Sequence, residues 1–422
     1  MPETASAPFD AIGRLPNPPS HAHRKPAMLT TLAVANYRSL RELIVPLGRL
    51  TLITGANGSG KSNLYRALRL LAEAAQGRLV ASLAREGGLP ATLWAGPERI
   101  GRDVPRNRQA LEGTVRQKPV SLRLGFASED FGYCIDLGLP TPQAGESRAR
   151  PKSAFALDPQ IKRECIWAGP VARPAALLVE RSGALLRGRD ERGAWQVLLE
   201  HLPAFDSLFT AFAHPPSAPE LFELRERLRG WRFYDHFRSD ADAPARQSWI
   251  GTHTPVLGHD GADLAAAWQT IREIGDPGAL DAAVEDAFPG ARVEVTQQQG
   301  RFSLLMQQPG MLRPLQTAEL SDGTLRYLLW IAALLSARPP ALMVLNEPET
   351  SLHPDLLPAL ARLIARLAGH TQVLVVSHAP RLIAALERHP ECNALWLEKD
   401  GGETRVAGQR LLDAPAWHWP GR

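Results

Sequence analysis

Residues 55–62 have the spacing best suited to chemistry, since they read GANGSGKS and fit the pattern GxxxxGK[ST]. Glycines in such a loop let backbone N–H groups converge on the β-phosphate of a nucleotide. Lys61 adds a compact positive charge with a catalytic role, and the Ser62 hydroxyl is a ligand for Mg²⁺. The segment therefore predicts an ATP and Mg²⁺ site. Its predicted nucleotide contacts are Gly55, Ala56, Asn57, Gly58, Ser59, Gly60, Lys61, Ser62 and Asn63.

A second polar group follows the apolar run of residues 341–347, which reads ALMVLNE. Such a run predicts a buried strand of the Walker B type, which usually ends in an aspartate beside the magnesium ion. Asn346 stands at that position, so the site has one negative charge fewer, although an amide oxygen still accepts a hydrogen bond from water on the ion. Glu347 is the predicted catalytic carboxylate that orients and polarises the attacking water.

The elements that position these residues follow from periodicity. Residues 50–54 predict a strand that runs into the glycine-rich turn, and Leu64, Leu68 and Leu71 predict a helix after it. Alternation predicts hairpins at 115–139 and 292–307, with a proline-rich linker or excursion at 140–159. Further predicted helices cover 197–212, 220–229, 264–288, 324–336 and 354–367, and further strands cover 341–345 and 373–377.

Four more segments carry a family resemblance. Residues 320–323 read LSDG and look like the ABC signature, while NEPETSLHP at 346–354 is close to the EPExxLHP pattern of RecF-like ATPases. Transport cassettes typically read DEPTSALD there, which disfavours a transporter motor. VLVVSHA at 373–379 matches a switch-histidine strand, and VANYRSL at 34–40 resembles the opening of RecF, SMC and Rad50-type heads. The chain thus resembles RecF-like and SMC-like ABC-type ATPases of the AAA family.

The resemblance implies roles for several residues. In the family, two heads enclose two ATP molecules, and each site combines the Walker motifs of one subunit with the signature of the other. Ser321 and Gly323 are accordingly expected at the γ-phosphate of ATP held by a second subunit, and His378 at the γ-phosphate of its own subunit. Asn36 and Arg38 are expected to border the nucleotide. An ATP-dependent homodimer follows from this arrangement.

The expected fold is α/β: a P-loop NTPase with an ABC-type head, comprising a mixed sheet, an antiparallel β-subdomain and an inserted helical lobe. The predicted division is a flexible tail at 1–27, the first half of the head at 28–140, a linker and arm or helical lobe at 141–311, and the second half at 312–422. Three scattered cysteines without a CxxC pair favour a reducing cytoplasm. No stretch approaches eighteen consecutive apolar residues, which argues against a membrane-spanning role.

Two functions remain open from the sequence. One is an ATPase in DNA repair, including double-strand break repair, or genome maintenance, whose ATP-driven dimer clamps DNA. The other is a nucleotide-dependent switch in an anti-phage or stress system, with a separate effector protein. Net charge is +4, and basic and aromatic residues interleave at 225–238, which predicts either a DNA contact or a solvated helix beside a core strand. Gln109 and Gln117 are both candidates for a Q-loop glutamine.

Overall fold

The computed structural model describes residues 27–96, 120–140, 153–212, 214–410 and 413–421, and its strands form three sheets. The strands are β1 (Leu29–Tyr37), β2 (Leu40–Pro46), β3 (Leu50–Gly55), β4 (Leu122–Ser128), β5 (Phe131–Gly138), β6 (Gln160–Ala168), β7 (Leu177–Ser182), β8 (Leu185–Arg189), β9 (Trp195–Leu199), β10 (Arg232–Tyr234), β11 (Trp249–Ile250), β12 (Arg292–Gln298), β13 (Arg301–Gln307), β14 (Leu315–Gln316), β15 (Leu342–Asn346), β16 (Gln372–Val376), β17 (Cys392–Asp400) and β18 (Glu403–Val406).

Helices pack against these sheets. They are α1 (Lys61–Ala75), α2 (Leu79–Arg85), α3 (Leu89–Thr92), α4 (Leu208–Ala211), α5 (Pro219–Gly230), α6 (Leu264–Ile274), α7 (Pro277–Ala287), α8 (Asp322–Leu334), α9 (Leu357–Ala368) and α10 (Pro380–Glu387). Among the described ranges, no helix combines the length and the apolar character needed to cross a bilayer.

The central sheet has six strands in the order β10-β15-β16-β3-β17-β18. All are parallel except β18, which pairs antiparallel with β17. Successive side chains of a strand point to opposite faces, so these strands supply two cores. Ile53 and Val344 face the core that contains α1, whereas Leu52 and Met343 face the core that contains α8 and α9. Burial on both faces explains why these strands are continuous apolar runs.

The second sheet is antiparallel and has eight strands in the order β2-β1-β4-β5-β6-β7-β8-β9. Helix α1 lies between this sheet and the central sheet, since Leu68 and Leu71 share one core with Phe126 of β4 and Val344 of β15. The helix that follows the phosphate loop is therefore held from two sides. This sheet is the antiparallel β-subdomain expected from the resemblance.

The third sheet is small and belongs to a lobe with helices. It has the order β11-β13-β12, with β14 also paired to β13. Its Met306 shares a core with Trp268 of α6, Leu280 of α7 and Trp330 of α8. The predicted division at residue 140 falls between β5 and β6 of one sheet, and the division at 311 falls between β13 and β14. Residues 141–311 supply strands to all three sheets.

Two predicted helices were wrong. Residues 197–212 do not form one helix, because β9 extends the antiparallel sheet by pairing with β8 and helical structure is confined to α4, capped by the Ser207 side chain. Residues 264–288 form two helices. The break comes at Gly275 and Asp276, where the Asp276 carboxylate accepts the Ala279 N–H (2.9 Å) and Pro277 starts α7.

Most of the remaining elements were confirmed. The strand, loop and helix around residues 50–75, the hairpin of β4 and β5, the hairpin of β12 and β13, and helix α5 lie where periodicity put them. In the last third, α8, β15, α9 and β16 also follow the prediction, with a 3₁₀ turn at Pro354–Leu356 preceding α9. Residues 1–26, 97–119 and 141–152 lie outside the described residues, and with them the tail, both candidate Q-loop glutamines and most of the linker.

Candidate functional site

Three parallel strands bring the predicted residues to one edge of the central sheet. In β3, β15 and β16 the registers pair Val376 with Ile53 and with Asn346, so the carboxyl ends lie side by side. The phosphate loop follows β3, Glu347 follows β15, and His378 lies two residues beyond β16. Ligands of open α/β sheets bind at this edge. The sequence-predicted groups from distant parts of the chain therefore share one site.

The phosphate loop needs glycine where it bends. Gly55, Gly58 and Gly60 have φ angles of 141°, 78° and 108°. A Cβ on Gly55 would overlap the backbone oxygen of Leu397, and one on Gly60 would overlap the Thr404 hydroxyl. The loop thus combines left-handed backbone with close packing against β17 and β18, which no larger residue provides without strain.

Two buried polar groups face the interior of this loop. The Lys61 ammonium donates to the carbonyl oxygens of Gly55 (2.7 Å) and Ala56 (3.0 Å), and the residue is 7% exposed. The Ser59 hydroxyl is buried and has no partner among the described residues. Helix α1 begins directly after the loop without a side-chain cap. A buried cation, an unpaired hydroxyl and an uncapped helix start fit a bound phosphate group.

A chain of polar side chains anchors the loop from below. Asn63 Nδ2 donates to Ser39 Oγ (2.8 Å), Ser39 Oγ bonds to Thr404 Oγ1 (2.7 Å), and Thr404 Oγ1 donates to the Ser59 carbonyl (2.7 Å). The Asn63 side chain, a predicted nucleotide contact, is thereby engaged with protein. Ser39 lies within the VANYRSL segment at 34–40 but was not predicted as a site residue. Thr404 is 345 residues from Ser59, and no local pattern indicates this contact.

Asn36 and Arg38, the predicted contacts from the first strand, both have left-handed backbone with φ of 62° and 50°. Asn36 Nδ2 donates to the Ser121 carbonyl (2.9 Å), and the Arg38 guanidinium pairs with Glu86 (2.7 Å). The Tyr37 hydroxyl also donates to Glu86 (2.6 Å). Burial raises the pKa of Tyr37, and the Glu86 carboxylate raises it further. Both predicted side chains are therefore held by protein groups, and their contact with nucleotide stays a prediction.

Glu347 occupies a strained position directly after β15. Its φ is 51°, its N–H donates to the Val376 carbonyl (2.8 Å), and its side chain is 40% exposed. A left-handed non-glycine residue costs about 1–3 kcal/mol, and such strain concentrates at functional sites. The His378 ring lies beside it, with Nδ1 3.8 Å from Glu347 Oε1. The carboxylate and imidazole thus emerge together at the strand edge.

Glu349 is a site residue that the sequence analysis missed. Its buried Oε1 accepts hydrogen bonds from Ser377 Oγ (2.7 Å), His378 N–H (2.9 Å) and Ala379 N–H (3.1 Å). The Glu349 carboxylate therefore links two loops, the one that carries Glu347 and the one that carries His378. The second glutamate of NEPE was the available signal, but no local rule indicates which loop it reaches.

We predict that Glu349→Ala lowers the free energy of unfolding by about 1–3 kcal/mol, because it leaves buried donors without an acceptor. ATP hydrolysis should slow as well, since His378 loses its backbone anchor. Denaturant unfolding and steady-state turnover measure the two effects. Glu349→Gln keeps an acceptor oxygen and should retain most of the stability. Equal unfolding midpoints for wild type and the alanine variant would contradict the anchoring role.

The signature residues lie on the exposed start of α8. Ser321 caps this helix, with Oγ accepting the Thr324 N–H (3.2 Å). The turn is held by Arg246, whose guanidinium pairs with Asp322 (2.6 Å) and donates to the Leu320 carbonyl (2.8 Å). Arg246 is a second missed residue, since 76 positions separate it from Asp322. Ser321 is thus presented outward on a fixed turn.

Asn346 and Ser62, the predicted metal-side residues, offer oxygen atoms to Mg²⁺. Asn346 Oδ1 is buried and has no hydrogen-bond partner among the described residues, which leaves an oxygen for a water molecule on an ion. Within the described ranges no group of three or more His, Cys, Asp or Glu could hold a metal alone. Mg²⁺ usually binds through few protein groups together with substrate phosphates, so Ser62 and Asn346 fit an ion that arrives with the nucleotide.

The basic and aromatic segment at 225–238 does not form a base-stacking surface. Trp231, Phe233 and Tyr234 are buried at 2%, 5% and 2% exposure, because β10 is a strand of the central sheet. The segment is thus a helix beside a core strand, which was the alternative to a DNA contact. Arginines of α5 are partly paired, as Arg227 is with Asp130 (2.7 Å).

A glycine-rich phosphate loop between a strand and a helix, a carboxylate after the Walker B strand and a signature turn on α8 define a P-loop ATPase with an ABC-type head. Residues 50–384 match the protein family described as "AAA domain, putative AbiEii toxin, Type IV TA system", and this range is most of the chain. The chain belongs to this family. It is an ATPase of the AAA type, which binds ATP and converts ATP and water to ADP and phosphate.

Solved structures with similar folds include three SMC head domains. One, bound to the C-winged helix domain of ScpA, has a TM-score of 0.49 at 13% identity over 92% of this chain and 99% of that chain. The SMC head domain from Thermotoga maritima has a TM-score of 0.41 at 15% sequence identity, and the match covers 91% of this chain and 100% of that chain. A third structure is an Smc head domain with an extended coiled coil bound to the C-terminal domain of ScpA derived from Pyrococcus furiosus. It has a TM-score of 0.45 at 12% sequence identity, and the match covers 92% of this chain and 97% of that chain. No curated protein matches the sequence.

Proposed function

We propose that this ATPase works as an ATP-dependent homodimer in which each nucleotide lies between the phosphate loop of one subunit and the signature turn of the other. The observation that carries the proposal is the division of groups within one chain. Lys61, Glu347 and His378 follow the carboxyl ends of three adjacent parallel strands, whereas Ser321 lies at the start of α8 and caps it through hydrogen bonds within its own turn. A second copy completes the site.

In this proposal residues 55–63 hold the phosphates through backbone N–H groups and Lys61. The uncapped start of α1 and the buried Lys61 support that role. Glu347 orients the attacking water and accepts its proton, and His378 contacts the γ-phosphate. Ser62 and Asn346 hold Mg²⁺, which when bound neutralises charge on the phosphate oxygens.

The dimer is tested by charge at the signature turn. Ser321→Asp should fold normally, because aspartate caps a helix as well as serine and suits the positive end of its dipole. Its carboxylate would face the negative γ-phosphate, and like-charge contact costs several kcal/mol across an interface. We expect ATP-dependent dimerisation at least about tenfold weaker. Light scattering with ATP in a Glu347→Gln background measures it.

The matched control is Ser321→Asn, which also caps the helix but adds no charge, and it should dimerise more tightly than the aspartate variant. Subunit mixing adds a second control. Lys61→Ala and Ser321→Asp should each be inactive alone, whereas their mixture should regain turnover, since the heterodimer contains one complete site. Identical dimerisation of the aspartate and asparagine variants, together with failure of the mixture, would contradict a shared site.

For the biological output we propose a DNA clamp in DNA repair, including double-strand break repair, or genome maintenance. Closure of two heads on ATP would trap DNA, and hydrolysis would release it. The chain's net charge of +4 supports an anionic partner. The decisive experiment compares ATP turnover with and without double-stranded DNA at several salt concentrations. Stimulation that weakens with salt would support the clamp.

The alternative function is a nucleotide-dependent switch in an anti-phage or stress system, with a separate effector protein. The family description, which names a putative toxin of a type IV toxin–antitoxin system, favours it. Here ATP-driven dimerisation would control a protein partner, and DNA would leave turnover unchanged. Growth arrest on expression of the wild type, absent for Lys61→Ala and relieved by a protein encoded beside it, would favour the switch over the clamp.

A further inference from the structure

The strand next to β15 places a carboxylate beside Asn346. Strand β10 runs parallel to β15, and Tyr234 pairs with Leu345, so Asp235 and Asn346 leave the sheet at the same level. Asn346 Nδ2 donates to Asp235 Oδ1 at 3.4 Å. The two residues are 111 positions apart in the chain, yet they form one polar pair at the strand edge that carries Glu347.

The amide of Asn346 is only half used by this contact. Its Nδ2 has Asp235 as partner, while its Oδ1 is buried without one among the described residues. The Asp235 side chain is 40% exposed, so it opens toward solvent at the same edge. The pair therefore offers one neutral acceptor and one anionic acceptor, the two oxygen types that water molecules around a magnesium ion prefer.

Helix α1 contacts Asp235 through an ion pair. Arg69 Nη1 pairs with Asp235 Oδ2 at 2.8 Å. Ser62 and Arg69 are seven residues apart, which on a helix places them on one face, and long side chains lean toward the helix N-terminus. The face of α1 that carries Ser62 is thus the face that meets Asp235. Burial raises the pKa of Tyr65 on this helix, and the charge of Asp235 raises it further.

We propose that Asp235 supplies the negative charge that Asn346 lacks, so that the two residues together accept hydrogen bonds from water on the Mg²⁺ of the nucleotide. The carboxylate and the amide have exchanged strands: β15 ends in the amide and β10 is followed by the carboxylate. This inference rests on the proposed ATP site. It adds to that site a residue that lies outside the ATPase motifs of the sequence.

The test measures the Mg²⁺ concentration at which nucleotide binding is half-maximal. The probe is a fluorescent ATP analogue, and the measurement involves no turnover. Asp235→Asn should raise the Mg²⁺ concentration for half-maximal binding by about 10–100-fold, the usual effect of losing an outer group of a metal site. Nucleotide affinity without Mg²⁺ should stay within about twofold of wild type, because the variant is expected to lose affinity for the ion and not for the nucleotide. In the double variant Asp235→Asn with Asn346→Asp, the Mg²⁺ concentration for half-maximal binding should return most of the way to the wild-type value, because the carboxylate returns on the neighbouring strand.

A purely structural role makes different predictions. If Asp235 only anchors Arg69, then Asp235→Asn and Arg69→Gln will reduce thermal stability alike and Asn346→Asp will rescue nothing, which overturns the proposal. If Asp235 acts on the ion, Arg69→Gln will leave the Mg²⁺ requirement unchanged or lower. Loss of nucleotide binding by wild type at every Mg²⁺ concentration would instead contradict the ATP site itself, so the two failures are distinguishable.

Discussion

Replacement of Glu347 by glutamine is expected to slow ATP hydrolysis by about a hundredfold to ten-thousandfold, the range supplied by a positioned proton acceptor. Glutamine keeps the volume and the strained backbone but cannot accept the proton of water. ATP binding should persist, because Lys61 and the phosphate loop are unchanged. Since hydrolysis reopens the proposed dimer, the variant should accumulate as an ATP-bound dimer. Single-turnover hydrolysis and light scattering measure the two effects.

Glu349→Gln is the matched control, because it removes a neighbouring negative charge while its amide oxygen still accepts from the His378 loop. If local charge alone governs the rate, both glutamine variants will slow hydrolysis equally. If Glu347 is the proton acceptor, its variant will be slower by at least about tenfold. Turnover by Glu347→Gln within about threefold of wild type would exclude Glu347 as the catalytic carboxylate, and the chain would then be a binding switch that needs a partner.

Local patterns predicted the parts of the site that are contiguous in sequence. The phosphate loop has its strand and helix on either side, and the runs before Glu347 and His378 are buried strands because both faces of the central sheet are covered. In each of these segments the local sequence pattern was sufficient to predict the backbone conformation. Their assembly also followed, since carboxyl ends of parallel strands share one edge.

The missed residues act across long sequence separations. Arg246 reaches Asp322 of the signature turn, and Asp235 reaches Asn346. Neither lies in a motif, and neither partner can be chosen without the strand order. Strand β10 is three residues long and begins two residues after the end of α5, so the basic and aromatic pattern around it left open a DNA contact or a core strand, and the strand order of the central sheet decides for the core strand. At β9, by contrast, tertiary pairing overrode the predicted helix.

The central sheet also accounts for an amide at the end of β15. Glu347 and Glu349 already bring two carboxylates to the loop beyond this strand, and a third at Asn346 would add to their repulsion before nucleotide binds. Asp235 lies on the far side of β15 from β16 and is paired with Arg69, so its charge is compensated within the resting protein. The exchange keeps an anionic oxygen at the edge without concentrating acid in one loop.

The second large effect is expected in the phosphate loop itself. Gly55→Ala should lower the free energy of unfolding by about 2–6 kcal/mol, because overpacking and an unfavourable φ each cost about 1–3 kcal/mol. The new Cβ would overlap the Leu397 carbonyl oxygen at a φ of 141° and would lie 2.8 Å from Ser59 Oγ. The displaced loop should also lose ATP binding. Denaturant unfolding without nucleotide, followed by thermal unfolding with ATP, measures both effects.

Gly58→Ala separates the two causes. Gly58 has a φ of 78° but its Cβ would meet no atom within 4 Å, so this variant carries the backbone cost of about 1–2 kcal/mol without the overlap. The difference between the two variants therefore reports the packing of the loop against β17 together with the higher backbone cost of alanine at a φ of 141°. If Gly55→Ala and Gly58→Ala destabilise the protein equally, the loop moves freely away from Leu397, and the close contact with the central sheet does not hold the phosphate loop in its shape.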